Sequence, residues 1–191
     1  LLPRHPDLQL VILGLTQEPY HGSDQQKALR RLLRRHPEAQ AQLHFPGRFG
    51  NMADWYRRCT LFVLPSRYEG FPHVLLEAMA EGCCCLAADC PHGPADLLRD
   101  HIDGLLLPRQ ATVASWSETI DRLLRDPVQR QRLEAEAATV RERFSDRALE
   151  VQLIEALGTL NGGPCTCWCW PRPGGQHRKP SSAPTFPVCR F

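Results

Sequence analysis

The chain is poor in lysine and has no long apolar run. Lysines are rare among its 23 basic residues, and the formal net charge of +2 is too small to predict a nucleic-acid-binding protein. No segment approaches the ~18 consecutive apolar residues of a membrane-spanning helix. No segment has the basic, apolar and small-residue order of a signal peptide either. The first residue is Leu1 rather than methionine, which we interpret as a fragment or a shifted reading start.

The apolar sequence that is present suffices for one domain. The 191 residues are 42% hydrophobic, which predicts a single domain with one core. Arginines gather at positions 30–31 and 34–35, on a predicted helix that also carries leucines. We interpret them as the solvated face of that helix, and contact with an anionic membrane surface is the less favoured alternative.

The nine cysteines fall into two groups, and the first lies within the predicted domain. Cys83–Cys85 follow Gly82, a predicted helix stop, and lead into an apolar run that predicts a buried strand. Consecutive strand residues alternate between faces, so three in a row cannot form one metal site. Cys59 is predicted to belong to the core at a helix end. None of these cysteines requires an oxidising compartment.

The composition changes at Asn161. Beyond it glycine, proline, serine and arginine dominate and no apolar period remains, which predicts a domain over residues 1–160 and a disordered tail over 161–191. The tail repeats cysteine at positions 165, 167 and 169, a soft-metal pattern that lacks a fourth ligand at workable spacing. We favour disorder over metal binding, and a frame-shifted end is a further alternative.

Strand-like and helix-like segments alternate along residues 1–160. Strands are predicted at Gln9–Gly14, Gln42–Phe45, Leu61–Leu64, Cys84–Ala88 and Gly104–Leu107. Helices are predicted at Asp24–Arg35, Met52–Arg58, Pro72–Glu81, Ala95–Arg99, Ala114–Arg125, Pro127–Phe144 and Asp146–Leu160. This alternation predicts an α/β fold with a doubly wound, parallel, Rossmann-like sheet. Ligands of such sheets bind beyond the carboxyl ends of the strands, where Ser66–Glu69 and Asp89–Pro94 are predicted to emerge.

The segment at positions 66–82 carries the strongest functional pattern. A strand ends there, a turn carries Glu69 and Gly70, and a helix begins with Pro72 as its first residue. Glu77 follows about one and a half turns into that helix. Unpaired amides and the helix dipole favour an anion at such a helix start, and carboxylates suit sugar hydroxyls. The combination predicts a pocket for a sugar nucleotide.

Each glutamate also has a purely structural interpretation. Glu69 can complement the helix dipole, and Glu77 can form an ordinary i,i+4 pair with His73. The helix is predicted to pack on the sheet through one apolar face, made of Val74, Leu75, Ala78 and Met79. Glu77 lies off the centre of that face, on the side of the preceding turn, which favours the functional interpretation.

The paired glutamates lie within a longer set of matches to one family. Glu69-Gly70-Phe71-Pro72 and Glu77-Ala78-Met79-Ala80 resemble the paired-glutamate motif of GT-B glycosyltransferases of family 4. Other segments resemble that family's donor domain in order and spacing, at positions 10–14, 43–47, 54–56, 61–66, 90–96 and 103–108. The resemblance covers roughly residues 1–160, and an ordered set of matches is more specific than one short motif.

The resemblance implies retaining transfer of a sugar from a nucleotide diphosphate donor, without a metal or any other cofactor. Glu77 would hold the ribose hydroxyls, and Glu69, as the catalytic residue, would contact the donor sugar. Further donor contacts would come from loops that carry Gly70, Phe71, Pro72, Gly93, Pro94, Gly47 and Arg48, the last two beside the nucleobase. Asp96 stands where the family usually has glutamate, which shortens its reach.

The similarity to bacterial enzymes of envelope polysaccharide synthesis implies a UDP-linked donor and a glycan or lipid-linked acceptor. It implies a cytoplasmic protein, with peripheral contact to the inner face of the membrane as an additional hypothesis and no nucleic-acid partner. The family's first donor-domain strand, its basic loop and its acceptor domain have no counterpart here. We therefore expect weak or no turnover by this chain alone.

Two other function classes compete with this interpretation. A dinucleotide oxidoreductase would carry a G-x-G-x-x-G turn after its first strand, and the sequence that begins at Gly14 does not supply it. A non-catalytic nucleotide-binding or protein-interaction module is the stronger alternative. Titration with nucleotide distinguishes an interaction module from a donor-binding domain, because the interaction module would bind none.

Overall fold

Five parallel strands form two sheets in the part of the chain that the computed structural model describes, residues 1–14 and 25–159. The smaller sheet pairs β1 (Leu10–Leu13) with β2 (Leu43–Gly47). The larger sheet has the order β3 (Phe62–Leu64), β4 (Cys85–Asp89) and β5 (Leu105–Pro108). The α/β fold with parallel pairing is confirmed. The predicted single sheet is divided in two, because no described strand pairs with both β1 and β3.

Helices connect the strands, as parallel pairing requires. They are α1 (Gln25–Arg35), α2 (Met52–Arg58), α3 (His73–Ala80), α4 (Pro94–Leu97), α5 (Val113–Arg125), α6 (Pro127–Ala137), α7 (Val140–Arg143) and α8 (Asp146–Thr159). Short 3₁₀ turns lie at Leu2–Arg4 and Pro37–Gln42. None of the helices within the described ranges is long and apolar enough to cross a membrane.

The chain forms two units, Leu1–Ala148 and Leu149–Phe191. The first contains both sheets. The described part of the second, residues 149–159, is helical. The predicted tail and its cysteines lie outside the described residues, so the domain boundary at 160 stays a prediction.

The predicted helix over residues 127–144 is two helices, which corrects the prediction. Between α6 and α7, Thr139 Oγ1 donates to the carbonyl oxygen of Glu136 at 2.7 Å. A hydroxyl that bonds the preceding turn competes with the regular helix ladder and bends or ends the helix. Both Ala137 and Val140 remain buried in one core cluster on either side of this break.

Strand β4 is the centre of the core and is covered on both faces. One cluster contains Cys83 and Cys85 with side chains of α3, and the opposite cluster contains Cys84 with side chains of α5 and α6. The three neighbouring cysteines therefore alternate between two faces, as predicted, and pack as small apolar residues. Burial raises the pKa of Cys84 to about 12, so this thiol stays protonated.

An ionic contact attaches the first residues to α5. Arg4 Nη1 lies 2.8 Å from Asp121 Oδ2, and His5 Nε2 lies 2.7 Å from Asp121 Oδ1. The hydrogen bond from His5 holds the pKa of Asp121 below its usual value. These contacts join positions more than a hundred residues apart and help to place the β1 segment.

A buried carboxylate holds the loop that precedes β5. Asp103 has 0% exposure and accepts hydrogen bonds from the Arg99 backbone at 2.6 Å, from Arg99 Nε at 2.7 Å and from Arg143 Nη2 at 3.0 Å. Arg143 Nη2 also donates to the carbonyl oxygen of Leu97 at 2.8 Å. The network joins α4, the loop and α7, and Gly104, next in the chain, lies tightly against Leu98.

We expect Asp103→Ala to lower the free energy of unfolding by roughly 3 kcal/mol, because it removes the buried acceptor of two arginine side chains and of the Arg99 amide. Urea unfolding followed by circular dichroism measures this change. Asp54→Ala is the matched control. Asp54 pairs with Arg57 at an exposed site, and such an ion pair contributes about 1 kcal/mol or less to stability. Equal losses in the two variants would contradict the prediction.

Candidate functional site

Three loops meet at the carboxyl edge of the larger sheet. They follow β3, β4 and β5 and comprise residues 65–72, 90–93 and 109–112. Because the three strands run in one direction, their carboxyl ends share one edge, which is the ligand-binding edge of doubly wound folds. The predicted segments at positions 66–69 and 89–94 both emerge there.

The first two loops pack against each other at Gly93. This residue has a φ of +94°, and a Cβ atom there would lie 2.6 Å from Pro72 Cδ and 3.2 Å from the Gly70 carbonyl oxygen. Asp96 Oδ2 accepts a hydrogen bond from the Gly93 N–H at 3.1 Å and closes the turn. The structure therefore brings predicted site residues of both loops together. The short Asp96 side chain closes its own turn.

The third loop joins the site through a cation–π contact. The Arg109 guanidinium carbon lies 4.6 Å from the centre of the Tyr68 ring, which is a favourable distance. Arg109 also lines an open pocket of about 390 Å³ with Asp89, Cys90, Pro91, His92, Gly93, Ala95 and Asp96. Sequence reasoning missed Arg109 and Tyr68. The position of Arg109, two residues after the end of a predicted strand, was the signal that could have found it.

The two glutamates differ in their surroundings. The Glu69 carboxylate is partly buried and makes no hydrogen bond or ion pair with another described residue. The exposed Glu77 accepts one hydrogen bond at Oε2, from the Tyr56 hydroxyl at 3.2 Å. Among the described residues, Glu77 forms no ion pair with His73, so that structural interpretation of Glu77 does not hold. Both carboxylates therefore keep acceptor capacity for a ligand.

The start of α3 differs from the prediction in two respects. The helix begins at His73, and Pro72 is its N-cap residue because its ψ of 79° is not helical. Val74 is 43% exposed, so the core face of α3 is narrower than predicted and consists of Leu75, Ala78 and Met79.

Backbone amides precede that helix. Neither Gly70 nor Phe71 donates its N–H to another described residue. The Phe71 ring is exposed and lies 5.0 Å from the His73 ring, centre to centre. Free amides and the positive end of a helix dipole suit an anion.

Gly47 and Arg48 lie elsewhere, at the end of β2 in the smaller sheet. Gly47 has a φ of +94°, and its carbonyl oxygen accepts a hydrogen bond from Gly14 at 2.8 Å. Arg48 is exposed. Their assignment to the nucleobase stays a prediction.

The thiols near α2 have unequal proton affinities. The neighbouring Cys83 thiol lowers the pKa of Cys59 to about 7, and the neighbouring Cys59 together with burial raises the pKa of Cys83. Within the described ranges, no three His, Cys, Asp or Glu side chains are grouped so that they could hold a metal ion.

A family model, Glycosyl transferases group 1, matches residues 1–140, which is most of the chain. The chain belongs to this family.

The relatives that this family member matches are much longer proteins. It is 36% identical over 126 residues to an exopolysaccharide phosphotransferase of Streptomyces coelicolor, a match over 65% of this chain and 12% of the relative. It is 31% identical over 103 residues to the amylovoran biosynthesis glycosyltransferase AmsD of Erwinia amylovora, a match over 54% of this chain and 26% of AmsD. The chain thus spans about a quarter or less of these relatives.

A solved structure has the same fold. Anabaena HepE, crystallised in complex with UDP, superposes with a TM-score of 0.70 at 22% identity. The match covers 81% of this chain and 42% of HepE.

We expect Gly93→Ala to destabilise the site loops of this family member, at a cost of about 1–3 kcal/mol from the backbone conformation alone. The overlap with Pro72 adds to that cost. Urea unfolding measures it. Gly50→Ala is the matched control, since no atom of the described residues lies within 4 Å of its added Cβ. A Gly93→Ala protein as stable as the Gly50→Ala protein would show that the two loops do not pack as described.

Proposed function

We propose that this chain is the donor-binding half of a retaining glycosyltransferase that uses a nucleotide diphosphate sugar, with UDP as the nucleotide. Glu77 holds the ribose hydroxyls and Glu69 contacts the donor sugar as the catalytic residue. Gly70, Phe71, Pro72, Gly93 and Pro94 border the donor with their backbone, and Gly47 and Arg48 lie beside the nucleobase.

One observation carries the proposal. Two carboxylates with spare acceptor capacity, Glu69 and Glu77, flank in sequence the Gly70 and Phe71 amides, which have no partner among the described residues, at the carboxyl edge of a parallel sheet. Sugar and ribose hydroxyls are donors for such carboxylates, and a diphosphate is an acceptor for such amides. A nucleotide sugar presents both kinds of group in one molecule, which neither a free phosphate nor an apolar ligand does.

The chemistry follows from this arrangement. In the transfer, the bond between the anomeric carbon and the diphosphate oxygen breaks and its electron pair leaves with the diphosphate, which gains negative charge. A bond to the oxygen of an acceptor hydroxyl forms on the same face, and the proton of that hydroxyl passes to the leaving diphosphate. The amides of Gly70 and Phe71 and the start of α3 stabilise that charge, because they are already oriented before the reaction. Glu69 orients the sugar. We assign no metal or other cofactor to these steps.

The acceptor and setting are inferred from the relatives. Names that refer to exopolysaccharide and amylovoran synthesis support a role in polysaccharide biosynthesis, with a glycan or lipid-linked acceptor. We propose that the protein acts in the cytoplasm, in peripheral contact with the membrane where lipid-linked acceptors lie. A non-catalytic nucleotide-binding or protein-interaction module is the alternative function.

Isothermal titration with UDP and with UDP-glucose tests the proposed site. We expect Glu77→Gln to weaken the binding of both ligands by about tenfold, because a neutral amide replaces a charged hydrogen-bond acceptor. We expect Glu69→Gln to weaken the binding of UDP-glucose only. Glu142→Gln, a change of the same kind on the exposed side of α7, is the matched control.

Two outcomes would contradict this proposal. An absence of nucleotide binding by the parent chain would favour the interaction module. Unchanged binding by Glu77→Gln would remove that residue from the ribose site.

We further propose that the chain alone transfers sugar weakly or not at all. It covers 42% of HepE, and an enzyme of this type binds its acceptor outside the donor-binding half. An assay with radiolabelled UDP-glucose and lipid-linked glycan acceptors measures the transfer. Robust turnover by the 191-residue chain would contradict this expectation.

A further inference from the structure

Tyr56 links the core to the proposed ribose-binding carboxylate. It lies on α2, outside the motif that contains the glutamates, and is 4% exposed. Its ring meets the Phe62 ring of β3 edge-on at 5.7 Å. Its hydroxyl reaches from this buried position to Glu77 Oε2.

The backbone of the same tyrosine is also held. The Tyr56 carbonyl oxygen accepts hydrogen bonds from the Cys83 thiol at 2.8 Å and from the Cys59 N–H at 3.1 Å. Contacts at the ring, the hydroxyl and the carbonyl leave this side chain little freedom. An exposed glutamate on a helix surface has several rotamers of similar energy, and a fixed donor selects among them.

The tyrosine is a permanent donor in this contact. Burial and the nearby Glu77 carboxylate raise the pKa of Tyr56, so its hydroxyl keeps its proton at all ordinary pH values. Tyr56 thus uses one lone pair of Glu77 Oε2. The second lone pair of that oxygen and both lone pairs of Oε1 remain for the two neighbouring hydroxyls of a ribose.

We propose that Tyr56 is a positioning residue that sets the Glu77 carboxylate for the vicinal 2′ and 3′ hydroxyls of the nucleotide ribose. This inference rests on the proposed function. It adds a residue of a different helix, 21 positions earlier in the chain, to the donor site.

Titration of Tyr56→Phe with UDP and with 2′,3′-dideoxyuridine 5′-diphosphate tests the proposal. We expect the variant to bind UDP about five- to tenfold more weakly than the parent chain, since it loses one hydrogen bond to a charged group. We expect its affinity for the dideoxy nucleotide to match that of the parent, because this ligand has no hydroxyl for Glu77 to bind.

Two controls separate positioning from stability. Ser145→Ala removes a hydroxyl that accepts the Ala148 N–H at 3.2 Å, so it lowers stability by about 1 kcal/mol away from Glu77. It should leave the affinity ratio of the two nucleotides unchanged. In a double-mutant cycle, Tyr56→Phe should have no further effect on UDP binding in a Glu77→Gln background.

The outcomes are distinct for the two proposals. UDP binding by the parent with an equal affinity in Tyr56→Phe would overturn the positioning role alone. An equal loss of affinity for both nucleotides in Tyr56→Phe would also overturn it, since the effect of a structural defect does not depend on ribose hydroxyls. No binding of UDP by the parent chain would overturn the proposed function and this inference with it.

Discussion

The parallel pairing of β4 with β3 on one side and β5 on the other is the constraint on which the site depends. Strand β4 is buried on both faces, and its register with both neighbours is continuous. Because the three strands point the same way, the loops after them share one edge. If β3 were reversed, Glu69 would lie at the opposite edge of the sheet from the loop of Gly93. Reversal of β5 would do the same to Arg109.

Close packing turns that shared edge into a defined site. Gly93 lies so close to Pro72 that no side chain larger than a hydrogen atom fits there. The second loop therefore fixes the turn that carries Glu69. The Tyr56 hydroxyl acts from the other side and contacts Glu77 from α2. The site is therefore supported from two directions by parts of the core. Pre-oriented groups of this kind bind a charged ligand without a large ordering cost.

Local sequence patterns predicted the helices and strands well where residue periodicity alone decides their positions. The bounds of α2 agree with the prediction at both ends. Cys83, Cys84 and Cys85 alternate between the two core clusters as predicted, although only Cys85 lies within β4. The prediction was wrong where a local contact competes with periodicity. Thr139 bonds back to the preceding turn and divides a helix, and Pro72 takes a non-helical ψ before α3.

The sequence by itself determined the family, the alternation of strands and helices, and the two glutamates, because a strand, a turn and a helix start are specified by neighbouring residues. Only the tertiary structure decided which side chains contact the segment that carries those glutamates. Tyr56 meets Glu77, and Arg109 meets Tyr68, through contacts between residues more than twenty positions apart. The buried Asp103 likewise finds Arg143 forty positions later. Such partners depend on how the helices pack on the sheet, which no short stretch of sequence encodes.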